Sequence, residues 1–333
     1  MDSVASTSAC SRPGRCKPPS PIRFTPETNT NPLSLFLTTG LLTIATAPLI
    51  YIYLPLSPST AHFLTPHERL QATERLRANQ SGPVLPSTTL KPSQIRETFL
   101  DPKTYLFAGM SLANNLGAQV TNTFGPLILS GFGYPQLTTT LLNIPFGAIQ
   151  YLVIIGVAYT SLFIPKKSKS LSLLTILIPI LSGLVILYLS PRESTTGALL
   201  TGYYLLAFIF GCNTLIVSWI LANTAGQTKR AVIMGVYNAA SSAGNIIGPL
   251  LFDAGDAPAY LPGLRATLGV FVGMVACVVL CVLEVGRLNR RKGRGERRDL
   301  SMEGEYVEEE EGEGERAFED LTDWENEEFV YVY

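Results

Sequence analysis

Seven stretches of predominantly apolar residues recur along this chain, near 33–55, 104–130, 138–161, 170–190, 198–222, 231–252 and 265–286. Each holds about 20 residues or more, the length an α-helix needs to cross roughly 30 Å of hydrocarbon. Inside hydrocarbon every backbone N–H and C=O must find its partner within the protein, which leaves helices and closed barrels as spanning structures. The alternation of apolar and polar residues that a barrel strand requires is absent from the sequence. Composition agrees, since 47% of the residues are hydrophobic and only 15% charged, against about 25% charged in soluble domains. The expected fold class is an all-α polytopic membrane protein.

Lys and Arg accumulate in cytoplasmic loops, and here they mark every second connection. The 56–103 segment carries Arg69, Arg75, Arg77, Lys91, Arg96 and Lys103. Lys166, Lys167 and Lys169 follow the third span, Lys229 and Arg230 the fifth, and Arg287, Arg290, Arg291, Lys292 and Arg294 the last. The intervening connections are uncharged at 131–137, hold Arg192 and Glu193 at 191–197, and hold Asp253 and Asp256 at 253–264. This asymmetry places the C-terminus in the cytoplasm. Seven spans would then put residues 1–32 outside, yet that segment carries Arg12, Arg15, Lys17 and Arg23 and has no signal-peptide core.

The spans differ in character. Those at 170–190 and 265–286 are aliphatic through their middles and suit lipid contact. In 104–130, Ser111, Asn115, Gln119 and Asn122 recur at helical spacing along one face; Asn238, Ser241, Asn245 and Gly248 do the same in 231–252. Span 138–161 adds Asn143, Gln150 and Tyr151, and span 198–222 adds Tyr203, Tyr204, Asn213 and Trp219. Amides in hydrocarbon face other helices or a wet cavity, because lipid cannot bond them. Interhelical bonding alone would account for any single Asn. Two stripes and further amides on two more spans favour a solute path lined by Asn115, Gln119, Asn122, Gln150, Asn213, Asn238 and Asn245. The small residues Gly235, Ala239 and Ala243 form a separate face on which another helix could approach closely.

Other chemistry is not written in the sequence. It contains no phosphate-cradling glycine loop or nucleophile motif, and no metal-ligand spacing joins the five Cys with His62 and His67. The expectation is therefore no enzyme activity, no metal, no cofactor and no nucleic-acid partner. Thr65-Pro66-His67-Glu68 carries an N-cap hydroxyl, Pro at the first helical position and Glu three residues after the cap. It predicts a short helix over 66–79, lying on the membrane surface within the linker. Residues 287–333 begin basic and become rich in Glu and Gly, which predicts a disordered acidic tail.

Several segments resemble the allantoate permease branch of the fungal major facilitator transporters. They are FLTPHERLQATERLRANQSG at 63–82, DPKTY at 101–105, FGPLILSGFGYPQLTTTLLNIPFGAIQ at 124–150, NTAGQTKR from 223, GNIIGPLLF from 244, DAPAY at 256–260 and DLTDWENEEF at 320–329. His67, Gln227 and Val330 stand where the family carries Glu, His and Arg. The resemblance implies a twelve-helix transporter that carries organic anions or nitrogenous nutrients with protons. Its first span would correspond to helix 6 and the other six to helices 7–12. The domain reading is an aberrant or disordered 1–32, a span at 33–55, a cytoplasmic linker at 56–103, a six-helix bundle at 104–286 and the tail at 287–333. A truncated gene model missing the N-terminal half would resolve the parity conflict. The family also implies that helices 7, 8, 10 and 11 lie centrally while 9 and 12 face lipid, the same division that polarity alone suggests. No ionisable residue lies mid-span, so a proton-coupling group would come from the other half. The implied partners are a small solute, protons, that half and the lipid bilayer; the implied location is the plasma membrane. A seven-helix receptor fits the topology but not the long basic linker, and a transport-dead half acting as an interaction protein is the remaining alternative.

Overall fold

The computed structural model describes residues 32–55, 60–61, 63–77, 90–122, 125, 136–163, 169–190, 196–256, 260–303, 320–327 and 329–333. Among them the regular structure is entirely helical. Five of the described helices are long and apolar enough to cross a membrane, with hydrophobic stretches at Phe36–Tyr53, Leu141–Thr160, Lys169–Leu189, Gly197–Ala222 and Leu261–Gly293. The remaining two expected spans are helical as well, and they are the two that carry the amide stripes. Polar side chains lower their hydropathy without interrupting the helix.

The chain divides into two compact units. The first contains helix α1, Pro32–Tyr53, which opens on a proline and carries Pro48 inside. Its hydroxyls are satisfied within the helix: Thr39 donates to the Phe36 carbonyl at 3.1 Å, and Thr43 to that of Thr39 at 2.9 Å. This internal bonding lets threonine sit in an apolar span.

The second unit holds all the other described helices. Helix α2, Pro66–Arg77, begins as its sequence predicts. The Thr65 N–H donates to the Glu68 carboxylate at 2.8 Å, and the Glu68 N–H returns to the Thr65 hydroxyl at 3.4 Å. The bond from the Thr65 backbone holds the Glu68 carboxyl below its ordinary value. A further helix in the linker, α3 at Pro92–Leu100, was not anticipated. It stops because Asp101 precedes Pro102, and a residue before proline is driven out of the helical region; Asp101 adopts φ −80° and ψ 116°. Helix α4, Pro102–Asn122, restarts on that proline. Of the expected span 104–130, residues 123, 124 and 126–130 lie outside the described set.

Helices α5 (Gln136–Phe163), α6 (Lys169–Leu189), α7 (Thr196–Leu205), α8 (Ile209–Ala222), α9 (Gln227–Leu250) and α10 (Leu261–Glu303) complete the unit, with a 3-10 turn at Leu206–Phe208 between α7 and α8. The last helix runs well past the expected end at 286, because the Arg- and Lys-rich sequence beyond it still favours helix. Helix α4 packs on α9, α10 and α8, while α6 packs on α7, α8 and α10. The core joins Phe107 and Met110 of α4, Ile180 and Leu184 of α6, Trp219 of α8, and Phe271 and Met274 of α10. Phe107 and Trp219 meet edge to face, 5.4 Å between centroids.

The two most aliphatic spans, which suit lipid contact, also pack into the bundle. Of the hydrophobic stretch in α6, 39% is buried inside the protein, and of that in α10, 28%; the figure for α5 is 11%. Each aliphatic helix turns one face inward: Leu173, Leu177, Ile180 and Leu184 on α6, and Phe271, Met274, Val278 and Val285 on α10. The opposite faces, with Ile178 and Leu283 among them, are exposed. Apolarity is compatible with both environments and does not separate them.

Candidate functional site: an amide cluster and a buried ion cluster

The amides anticipated in the sequence are only partly brought together. Gln119 of α4 donates through Nε2 to the Asn245 Oδ1 of α9 at 2.7 Å. The Tyr237 hydroxyl of α9 donates to the Asn213 Oδ1 of α8. Ser111 donates to the Tyr237 carbonyl at 2.9 Å, and Asn115 to the Ser111 carbonyl, also at 2.9 Å. Three helices thus meet through uncharged donors and acceptors. Asn213 and Asn245 are exposed beside this contact, and Asn115 and Gln119 are half-buried. Asn122 and Asn238 are exposed further along the same helices. Gln150 is half-buried on α5, whose main contacts run to α8 and the 3-10 turn, so it stands apart from the Gln119–Asn245 pair.

Two expectations change at this contact. The close approach between α4 and α9 does not use Gly235, Ala239 and Ala243: a Cβ on Gly235 would meet nothing within 4 Å. It uses Gly244 and Gly248 instead, where an added Cβ would lie 2.6 Å from the Leu112 carbonyl oxygen and 2.6 Å from Gln119 Cγ. Gly248 therefore belongs to the helix contact and not to a solute-facing stripe. The helical period makes both faces look equally small in sequence; Tyr237, buried against α4 and α8, fixes which one turns inward. Trp219 likewise leaves the path reading, because it is fully buried and its Nε1 donates to the Val332 carbonyl at 2.8 Å. Asn143 accepts from the Tyr203 hydroxyl at 2.7 Å within the bundle. Asn114, which sequence reasoning passed over, is buried with its Oδ1 unbonded among the described residues.

The second assembly was missed entirely. Lys103 and Lys229, read from sequence as loop charges, are buried at the start of α4 and α9. The Lys103 ammonium lies 2.8 Å from Asp323 and 3.4 Å from Asp101, and donates to the Asn223 carbonyl at 3.2 Å. Lys229 lies 2.7 Å from Glu97, 3.2 Å from Asp101 and 2.7 Å from the other oxygen of Asp323. The side chains of Lys103, Lys229, Asp101 and Asp323 are at most 2% exposed. Burial pushes the Asp323 carboxyl up, but the two ammonium groups outweigh it and hold the group at about 2. The Tyr331 hydroxyl donates to Asp323 at 3.0 Å; burial, then the carboxylate's charge, raises the phenol far above its ordinary value.

Asp323 belongs to the tail expected to be disordered. Residues 304–319 lie outside the described set, but 320–327 and 329–333 form a strap across one end of the bundle. Thr322 and Glu325 cap its turn reciprocally at 3.0 and 3.2 Å. Lys292 of α10 donates to the carbonyls of Asp323, Asn326 and Phe329 at 2.7, 2.6 and 3.2 Å. Asn223 holds the backbone of Val332 on both sides, and Asn289 does the same for Tyr331. Asp320 accepts from the Gln227 N–H at the start of α9 at 2.7 Å and pairs with Lys91 at 2.8 Å. Composition was misleading because the Glu- and Gly-rich run stops before 320. The signals were Phe329 and Tyr331 at alternate positions and the Thr-x-x-Glu capping pattern at 322–325.

Neither assembly contains the constellation of a catalytic centre, and among the described residues no group of His, Cys, Asp and Glu is placed to hold a metal ion. The arrangement can hydrogen-bond a polar solute at the amides and clamp helix ends at the ion cluster. Comparison with known proteins agrees with a transport architecture. The Major Facilitator Superfamily profile matches residues 28–249. The chain is 35% identical over 251 residues to the MFS-type transporter cnsL of Penicillium expansum, covering 75% of this chain and 50% of that protein. It is 32% identical over 305 residues to the thiamine pathway transporter THI73 of Saccharomyces cerevisiae, covering 90% and 54% respectively. It is 30% identical over 314 residues to the allantoate permease of the same yeast, again covering 90% and 54%. The chain thus spans about half the length of the curated relatives it matches. No solved structure matches it. With an all-helical membrane bundle, amides gathered between its helices and a profile match over most of its length, this chain belongs to the Major Facilitator Superfamily.

Proposed function

We propose that the six-helix bundle forms one wall of a transport path for small organic anions or nitrogenous solutes of the allantoate type. The observation that carries this reading is the three-helix amide cluster, in which Gln119, Asn245 and Asn213 offer uncharged hydrogen-bonding groups beside exposed bundle surface. A carboxylate or ureido group would exchange its water for such amides. Transporters of this architecture bind near the bilayer midplane between two bundles, so the path is completed by a second bundle of the same kind. Proton coupling is assigned to that second bundle, because the amide cluster holds no ionisable carboxylate, Lys, Arg or His. The assembled protein is placed in the plasma membrane with the strap on the cytoplasmic side, in keeping with the basic loops. An allantoate permease among the relatives supports the solute class.

The test is uptake of radiolabelled allantoate, and of a panel of small carboxylates, by yeast cells producing this chain joined to the N-terminal half of the yeast allantoate permease. Uptake above vector control that falls in Gln119→Ala and collapses with the proton gradient supports the reading. Uptake equal to vector for every solute sinks it and leaves a non-transporting half with an interaction role.

A further inference from the structure

The distal part of α10 and the strap enclose a cavity of about 510 Å³ that the transport reading does not use. Val282, Leu283 and Gly286 line it, with Arg287, Arg290 and Arg291 in the following turns of the same face of α10 and Tyr333 of the strap. Arg287 has Glu284 at 3.4 Å. Arg290 and Arg291 are exposed and have no carboxylate within ion-pairing distance among the described residues. Leu283 is 63% exposed, so the apolar end opens outward from the bundle. From Leu283 to Arg290 the helix rises by two turns, about 10 Å, comparable with the thickness of a headgroup layer, roughly 5–8 Å per leaflet.

We propose that this cavity seats an anionic phospholipid of the surrounding bilayer, with its phosphate against Arg290 and Arg291 and an acyl chain along Leu283 and Val282. Guanidinium groups match phosphate oxygens in a bidentate fork. Basic pockets at the membrane surface gain further from the negative potential of anionic leaflets. A free phosphate ion would gain nothing from the apolar end, which is why the occupant is a lipid. Gly286 keeps the cavity open: a Cβ there would lie 3.5 Å from the Tyr333 ring, an ordinary contact, whereas a longer side chain would occupy the lipid's space.

The experiment is native mass spectrometry of the full chain released from phosphatidylcholine nanodiscs with and without a minor fraction of phosphatidylglycerol. The wild-type chain is expected to retain phosphatidylglycerol in preference to phosphatidylcholine. The double variant Arg290→Gln/Arg291→Gln should bind it about thirty-fold more weakly, given the usual contribution of each basic residue at a membrane surface. Gly286→Leu, which keeps every charge, should lose it too. Arg265→Gln removes an exposed charge from the other end of the same helix and should retain lipid normally. Equal loss in Arg265→Gln, full retention in Gly286→Leu, or displacement of the lipid by inorganic phosphate at matched concentration would each overturn the proposal.

Discussion

The Asp323 carboxylate lies 2.8 Å from the Lys103 ammonium across 220 residues of sequence, and its second oxygen lies 2.7 Å from Lys229. One carboxylate of the strap thus joins the first turns of two helices, α4 and α9, that also share the amide contact. Both lysines are buried, so the strap is what balances their charge together with Glu97 and Asp101.

Asp323→Asn is expected to destabilise the bundle by about 3–5 kcal/mol, the cost of removing one partner from a buried ion cluster. Thermal unfolding in detergent measures it. Limited proteolysis should show cleavage within 320–333 in the variant under conditions that spare the wild-type chain. Unchanged unfolding and unchanged protection would mean that the strap is held by its backbone bonds alone.

Acid should release the strap in a defined window. The Asp323 carboxyl is held at about 2 in the folded protein against an ordinary 3.8. A depressed carboxyl contributes stability that is complete above its unfolded value and lost as pH falls through its folded value. The contribution, about 2 kcal/mol from the linkage of proton binding to folding, should therefore disappear between about pH 4 and pH 2. Tryptophan emission reads it directly. The two tryptophans are Trp324 on the strap and Trp219 bonded to Val332. Asp323→Asn should show no transition in that window.

The helix contact makes a paired prediction about glycine. Gly244→Val drives side-chain atoms into the Leu112 backbone and should cost about 3 kcal/mol, at the upper end for overpacking. Gly235→Ala faces open space and should change stability by less than about 1 kcal/mol. Melting temperatures of the two variants in the same detergent decide the matter. A larger loss at Gly235 would place the close approach on the other face.

Gln119 and Asn245 should be energetically coupled. A double-mutant cycle of Gln119→Ala and Asn245→Ala should return roughly 0.6 kcal/mol, and no more than about 1.7, as for other hydrogen bonds between membrane helices. Additive losses would indicate that water replaces the bond.

How far the sequence could be read depends on the kind of interaction. Span length, the Thr65–Glu68 cap and the helical spacing of Asn115 and Gln119 are local patterns, and the structure contains each as a local feature. The sequence set both Gln119 and Asn245 on a solute path, and only the structure shows them bonding each other across α4 and α9. The partition between the Gly235 and Gly244 faces was not legible either, since both satisfy the same period and only the position of α4 distinguishes them. Lys103 and Lys229 were misread for a related reason. A lysine beside a span looks the same whether it meets water or a carboxylate from a distant segment. Asp323 sits behind a long acidic run whose composition hides it, and the alternating Phe329 and Tyr331 were too short a signal to overturn that impression.

The strap also sets a sequence of events during synthesis. Lys103 leaves the ribosome 220 residues before Asp323, an interval of tens of seconds at roughly 5–20 residues per second. Glu97 and Asp101 are already present, but until residues 320–333 arrive the two buried ammonium groups have an incomplete set of counter-charges. Helices α4 and α9 therefore enter the bilayer before their ends can close.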